Sequence, residues 1–410
     1  HEGDFDTFKF NITEYLENKN YLYVKVESNL DNNPEFKEVL KGGNYHWDCL
    51  PIKQESLENC PEVPSTANPQ YPNPLINPGG IWQPVYLQIS NSITIEEWEI
   101  TPELGENDDA TLFITGTLKN LNDKSIDLEV KMSLQPDNFT GKNYSNSSSL
   151  TLKPGINSFA FSMYLDNPSL WWTWDMGHPN LYQLNLNFLM NNKKTLHNYN
   201  ELVGIREVSK GNNWELYLNG TRFFARGTNY LSDHFLSQST PELYDQDLNL
   251  VLDANMNMIR VFSHMEKNYF YEQCDRKGIL IFQDLPFQWG YKPECSLINR
   301  ASSLARRFVK KLYNHPSIFL WCCHSESRLH DYNKLDQVLE KTVRELDPHR
   351  PVWKNSVMVA SNDLPPYFKD NNEFLSYTES HLSVHWVGWY WGEIADAEHY
   401  NPLFVTEFVS

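Results

Sequence analysis

Met258-Ile259-Arg260-Val261-Phe262, a helical stretch from Asn268 to Lys277, Gly278, and then Ile279-Leu280-Ile281-Phe282-Gln283 form the pattern that decides the fold. Two short runs rich in β-branched and aromatic residues flank a helix-length segment that a glycine ends, which is the signature of a βαβ unit. Both runs are almost wholly apolar, as strands covered on both faces must be. The same alternation extends in both directions. Upstream lie a strand-like Arg222 to Tyr230 and a helix-like Pro241 to Ala254, with Ser239 or Thr240 as cap and Pro241 in the first turn. Downstream lie helices over Leu297–Leu312 and Tyr332–Leu346 and strands over Ile318–Cys323, Pro351–Lys354 and Phe404–Thr406. Repeated βα units predict a parallel sheet, and this many in succession predict a closed barrel. The span from Asn219 to Ser410 holds 192 residues, against about 250 for a complete eightfold barrel. The barrel therefore reads as incomplete, in a fragment or in a chain completed by further residues or by self-association.

The segment before Asn219-Gly220, a hairpin dipeptide, is all β. Ile93-Thr94-Ile95, Thr111 to Leu118 and Leu181 to Leu186 alternate apolar and polar residues, which predicts a β-sandwich over 93–206. Asn138 to Ser149 is Ser/Asn-rich and reads as an exposed loop. Before it, Tyr21 to Val26 and Ile81 to Ile89 read as strands, with Pro84 marking an edge or bulge. A long Pro-rich loop holding Cys49 and Cys60, which can pair, separates them.

Composition narrows the function. The 410 residues carry 34 basic and 53 acidic side chains, a net charge of −19, which disfavours nucleic acid as a partner. A 40 % hydrophobic content excludes disorder, and no apolar run reaches the roughly 20 residues of a membrane span. Six cysteines are too few for a disulfide scaffold, and adjacent Cys322 and Cys323 should face opposite sides of a strand. Five N-x-S/T sequons, at Asn11, Asn138, Asn143, Asn146 and Asn219, lean toward a secretory, extracellular or periplasmic location. An Asn-rich chain also produces sequons by chance, so the location stays open.

Catalytic groups of a parallel barrel sit at the carboxyl ends of its strands. Glu326 and Glu407 each follow such a strand, 81 residues apart. Facing carboxylates, one protonated and one ionised, are the minimum equipment for glycoside hydrolysis. Two ordinary acidic residues on loops would look the same by spacing alone. His324-x-Glu326 matches half of a zinc deaminase signature without the second half. Strand alternation scatters Cys322, Cys323, His324 and His330 over different faces, against a four-ligand metal site.

In order along the chain, the motifs resemble glycoside hydrolase family 2, nearest its β-mannosidase branch. Gly80-Ile81-Trp82-Gln83-Pro84-Val85-Tyr86-Leu87 resembles the end of the family's sugar-binding jelly roll. Leu218-Asn219-Gly220 with Phe224-Ala225-Arg226-Gly227-Thr228-Asn229 resembles the barrel entry. Asn257 to Val261 and Cys274 to Asp284 resemble the second and third strands. Asn314-His315-Pro316-Ser317-Ile318 through Trp321 resembles the acid/base strand, and Val405-Thr406-Glu407-Phe408 the nucleophile strand. The resemblance implies a partial jelly roll over 1–92, an immunoglobulin-like sandwich over 93–206 and a (β/α)8 TIM barrel, incomplete at its carboxyl end, over 207–410. It implies a retaining exo-β-glycosidase of β-mannosidase type acting on a β-linked carbohydrate without cofactor or metal.

The resemblance also assigns residues. Glu326 matches the acid/base and Glu407 the nucleophile. Arg260 matches a basic residue that keeps the nucleophile ionised, with bonding to buried backbone carbonyls as the alternative. Asp233 falls at a sugar-hydroxyl acceptor, or caps a helix. Trp289, His381, His385, Trp386, Trp389 and Tyr390 fall in aromatic substrate-binding segments, or in the core. The family has Asn before its acid/base Glu where this chain has Ser325, and that Asn binds the sugar 2-hydroxyl. Ser is shorter, so altered specificity, reduced activity or a non-catalytic carbohydrate-binding relative are the readings the substitution opens.

Overall fold

A computed structural model describes residues 7–26, 81–90, 92–190, 194–212, 215–231, 238–287, 295–325, 333–359, 382–385 and 405–407 of the chain. The loop holding Cys49 and Cys60 lies outside them.

Seven antiparallel strands build a two-layer sandwich: β1 (Ile93–Leu104), β2 (Asp109–Asn120), β3 (Ile126–Pro136), β4 (Tyr144–Leu152), β5 (Gly155–Asp166), β6 (Tyr182–Met190) and β7 (Lys194–Val203). One sheet runs β1-β2-β5 and the other β4-β3-β6-β7. Alternation drives it. Leu112, Ile114 and Leu118 from one sheet and Val130, Leu134, Leu184, Leu186 and Phe188 from the other meet in one dry core. Strand β4 corrects the loop expected over Asn138 to Ser149. Its buried ends, Tyr144 and Leu152, enclose a Ser/Asn run that faces outward. Its backbone pairs with β3 from Tyr144 to Leu152. The ladder is made of peptide groups, so an edge strand tolerates polar side chains that a propensity reading rejects.

After the sandwich, β8 (Val208–Lys210), β9 (Leu216–Leu218) and β10 (Thr221–Phe223) form a small antiparallel sheet. Its β9–β10 turn places Asn219 at φ 50° and Gly220 at φ 73°, the left-handed pair of a type I′ hairpin. The single strand expected from Arg222 to Tyr230 is two. β10 closes the hairpin, whereas β11 (Gly227–Tyr230) pairs in parallel with the following strand. Between them, the Asn257 amide accepts from Arg226 N at 2.9 Å and donates to Phe224 O at 3.1 Å. It takes the ladder groups at the point where the chain changes sheets.

Parallel strands then alternate with helices: β11, α1 (Pro241–Asp253), β12 (Met258–Val261), α2 (Asn268–Lys277), β13 (Leu280–Asp284), α3 (Cys295–Leu312), β14 (Ile318–Cys322) and α4 (Asn333–Leu346). β15 (Val352–Trp353) and β16 (Ser356–Val359) follow as two parts of the next strand position, then β17 (Leu382–His385) and β18 (Val405–Glu407). The ladders run β11-β12-β13-β14-β15 and β16-β17-β18, all parallel. This is the TIM barrel, with seven strand positions among the described residues. β16 and β17 were not expected from the sequence. Thr240 caps α1 through its side chain, and Gly278, at φ 69°, ends α2. A Cβ on Gly278 would come within 2.7 Å of Trp174 N in the β5–β6 connection of the sandwich, so that close approach also demands a glycine there.

The sandwich and its linker grip the amino-terminal ends of the barrel strands. Arg206 donates to Pro316 O and Ile318 O at 2.9 and 2.8 Å, and Trp171 Nε1 donates to Asp275 O at 2.8 Å. The carboxyl ends are where the polar side chains gather.

Tyr21–Val26 and Ile81–Ile89, expected as strands, form no ladder. Tyr23 is 89 % and Tyr86 83 % exposed. Strand propensity supplies no partner, and none pairs with these stretches among the described residues. Among the described residues, no helix is long and apolar enough to cross a membrane.

Candidate active site

Alternation along the parallel strands sorts side chains into two environments. Ile259, Val261, Ile281, Trp321 and Cys323 join the core beneath the helices. Met258, Leu280, Phe282, Leu320, Cys322 and Trp353 join the inner one. Cys322 and Cys323 thus face opposite ways, as the sequence predicts. Further along the inner face, at the carboxyl ends, the apolar layer gives way to charge.

Arg260 and Asp284 meet there. The guanidinium Nη2 lies 2.7 Å from Asp284 Oδ2, and Nε lies 3.1 Å from each carboxylate oxygen. Arg260 is 4 % exposed and Asp284 not at all. The rings of Phe262 and Phe282 sit 4.9 and 5.0 Å from the guanidinium carbon, adding cation–π attraction. Burial pushes the Asp284 carboxyl above its ordinary range, against the pull of Arg260 and of hydrogen bonds including one from Ser263 N. Ser263 reaches that bond at φ 53°, a left-handed conformation costly for a residue with a Cβ.

The same guanidinium donates to Ser325 Oγ at 2.9 Å and to Ser356 Oγ at 3.3 Å. Arg260 and Ser325, both singled out from the sequence, are therefore brought together. A carboxylate, rather than backbone carbonyls, meets the guanidinium fork. Ser325 is fully buried, and its N–H donates to Phe287 O at 2.9 Å.

Glu407 ends β18 and His385 ends β17. In the parallel register Val384 pairs with Glu407 and Val359 with His385, which puts both backbones at carboxyl ends. Asp233, Trp289, Glu326, His381, Trp386, Trp389 and Tyr390 lie outside the described residues.

Behind this floor are groups the sequence reading missed. His264 Nδ1 donates to Phe262 O at 2.8 Å while its Nε2 meets Glu266 Oε1, and Tyr244 donates to Glu266 Oε2 at 2.6 Å. Burial pushes the His264 imidazole down, but the charge and hydrogen bond of Glu266 outweigh it and hold its pKa above the ordinary value. His324 Nδ1 lies 2.6 Å from Asp336 Oδ1. A signal for Asp284 was present. Arg260 is a charge inside a four-residue strand that is buried throughout, and such a charge needs a buried partner. Among the described residues, no cluster of three or more His, Cys, Asp or Glu side chains is arranged to hold a metal ion.

Two family models match the chain in succession from residue 93 onward. Glycosyl hydrolases family 2 matches residues 93–206, and the family 2 TIM barrel domain matches residues 209–409. The chain belongs to glycosyl hydrolase family 2. The β-galactosidase of Thermoanaerobacterium thermosulfurigenes is 25 % identical over 335 residues, covering 80 % of this chain and 45 % of that protein. Among solved structures, β-glucuronidase 2 of Bacteroides uniformis superposes with a TM-score of 0.63 at 21 % identity, covering 77 % of this chain and 40 % of that one. The β-D-mannosidase of Dictyoglomus thermophilum gives 0.61 at 24 %, covering 72 % and 40 %. The chain thus spans less than half the length of these family 2 relatives. The barrel match includes Arg260, Ser325, Glu326 and Glu407.

Proposed function

We propose that this chain carries the catalytic barrel of a retaining exo-β-glycosidase of β-mannosidase type. Glu407 is the nucleophile that attacks the anomeric carbon. Glu326 protonates the departing oxygen, then takes a proton from the water that releases the sugar. The observation that carries this reading is positional. β14 ends at Cys322, four residues before Glu326 in the sequence, and β18 ends on Glu407. Both are carboxyl ends of parallel barrel strands, the rim on which such enzymes place their chemistry. A covalent glycosyl intermediate requires the two carboxyl groups to stand about 5–5.5 Å apart.

Arg260 supports the rim through its neutral pairing with Asp284, rather than as a lone positive charge. Asp233, Trp289, His381, His385, Trp386 and Trp389 are the proposed contacts to the carbohydrate. The motif order, nearest the β-mannosidase branch, favours β-mannosides among the sugars cleaved by the relatives.

A second reading, a non-catalytic carbohydrate-binding protein, draws on Ser325. Its hydroxyl is fully buried and engaged by Arg260, so it is not presented to a sugar 2-hydroxyl. The two readings separate on a panel of aryl β-glycosides (mannoside, galactoside, glucoside, glucuronide, glucosaminide) given to the full-length protein. The glycosidase reading expects turnover of the mannoside with retention, and a loss of about 10²–10⁴-fold or more in Glu326→Gln and Glu407→Gln. Wild-type turnover no greater than that of the double variant would leave the binding reading.

A further inference from the structure

The two residues that precede Glu326 are fastened on every side. His324 is fully buried, and its Nδ1 lies 2.6 Å from Asp336 Oδ1 in the first turn of α4. The other oxygen of Asp336 accepts from Asn355 Nδ2 at 2.6 Å. With one Asp336 oxygen accepting from Asn355 and the other facing Nδ1, the pairing fixes the plane of the His324 ring. The backbone is tied as well. Ser356 N donates to His324 O, and Ser325 N donates to Phe287 O, each at 2.9 Å. Arg260 holds the Ser325 hydroxyl from the inner face. Helix α4, the β15–β16 break and the end of β13 therefore converge on one dipeptide, and Glu326 is the next residue.

We propose that His324, oriented by Asp336 and Asn355, is a positioning residue for Glu326: it fixes the direction in which the chain leaves β14 and so where the acid/base carboxyl is delivered. The inference rests on the glycosidase reading above. A structural role alone would leave no chemical signature, whereas positioning of a general acid does. A leaving group of low pKa departs without a proton, and one of high pKa needs it.

The test uses the full-length protein and aryl β-glycosides of the best-cleaved sugar, from 2,4-dinitrophenyl to 4-methoxyphenyl. For His324→Ala, kcat/KM on the methoxyphenyl glycoside should fall about 10²-fold, while the dinitrophenyl glycoside loses less than about threefold. His324→Asn keeps a donor near the Nδ1 position and should recover the methoxyphenyl rate to within about fivefold of wild type. Asp336→Asn, which keeps volume but removes the orienting charge, should steepen the same leaving-group dependence and serves if the alanine variant does not fold. Equal loss on both substrates, no loss on either, or failure of His324→Asn to recover would overturn the inference alone. Absence of wild-type turnover would overturn the glycosidase reading and this inference with it.

Discussion

Arg260 and Asp284 face each other from adjacent parallel strands, forked guanidinium to carboxylate, with Nη2 2.7 Å from Oδ2 and both side chains shut away from water. Two charges in a low-dielectric interior offset their lost hydration through each other and through the surrounding hydroxyls, the Ser263 N–H and the rings of Phe262 and Phe282. The pair turns a wall of apolar side chains into a polar floor, and Arg260 links it to Ser325, the residue before the proposed acid/base.

Breaking that pair from one side should be severe. Asp284→Asn leaves the guanidinium buried without its counter-charge and is expected to cost about 3–5 kcal/mol. Asp284→Leu combined with Arg260→Met removes both charges and should cost much less. Urea midpoints for the single and double variants give the coupling. Additive costs would mean that the two groups do not depend on each other.

Ser263 supplies a second expectation. It sits at φ 53°, is fully buried, and contributes an N–H to Asp284. Glycine adopts that conformation without the Cβ penalty. Ser263→Gly should leave stability unchanged or raise it by up to about 1 kcal/mol, since relief of strain opposes the added freedom of the unfolded chain. A loss of more than that in thermal unfolding would show that the hydroxymethyl group packs in a way the backbone argument omits.

The sequence disclosed the architecture wherever period and burial agree. The β12–α2–β13 unit reads directly, because apolar runs, a cap and Gly278 all point the same way. β4 was hidden because its outward Ser and Asn side chains report solvent, while its place is decided by a ladder to β3. β17 is a four-residue strand, Leu382–His385, too short for its period to stand out. Arg260 and Ser325 were legible from motif position. Ser356, Asp336 and Asn355 were not, because their roles arise from pairings 12 to 96 residues apart that no local pattern encodes.

The hairpin at the barrel entry offers a prediction about local chemistry. Asn219, at φ 50°, donates to Trp171 O at 3.0 Å and accepts from Glu207 N at 2.9 Å. Asn219→Ala loses both bonds and places a Cβ in left-handed backbone without Asn's compensation, which should cost about 1–3 kcal/mol. Asn219→Gly relieves the backbone but not the bonds and should lie between alanine and wild type. Equal stability of all three in denaturant titrations would remove the hairpin from any part in joining sandwich to barrel.

The join between the two domains should also depend on pH, and its sign can be worked out. Glu201, on β7, lies near His315, whose Nδ1 is 2.6 Å from Asp275 Oδ2. Burial pushes the Glu201 carboxyl from 4.5 up to about 7, against the pull of His315 and with a further push from Asp275 and Glu272. Between those values the folded chain keeps a proton that the unfolded chain releases, so stability falls as pH rises through that window. Burial draws the His315 imidazole down, but the charge and hydrogen bond of Asp275, with Glu201 and Glu272, outweigh it and raise its pKa above 6.5. Its contribution is complete below 6.5 and is lost as pH climbs through the folded value, so both groups act in the same direction. The protein should therefore resist urea better at pH 5 than at pH 8, with Glu201 accounting for about 2–3 kcal/mol of the difference. Glu201→Gln should match wild type near pH 5 and exceed it near pH 8. Parallel pH profiles for the two proteins would show that Glu201 is ionised in the folded state throughout.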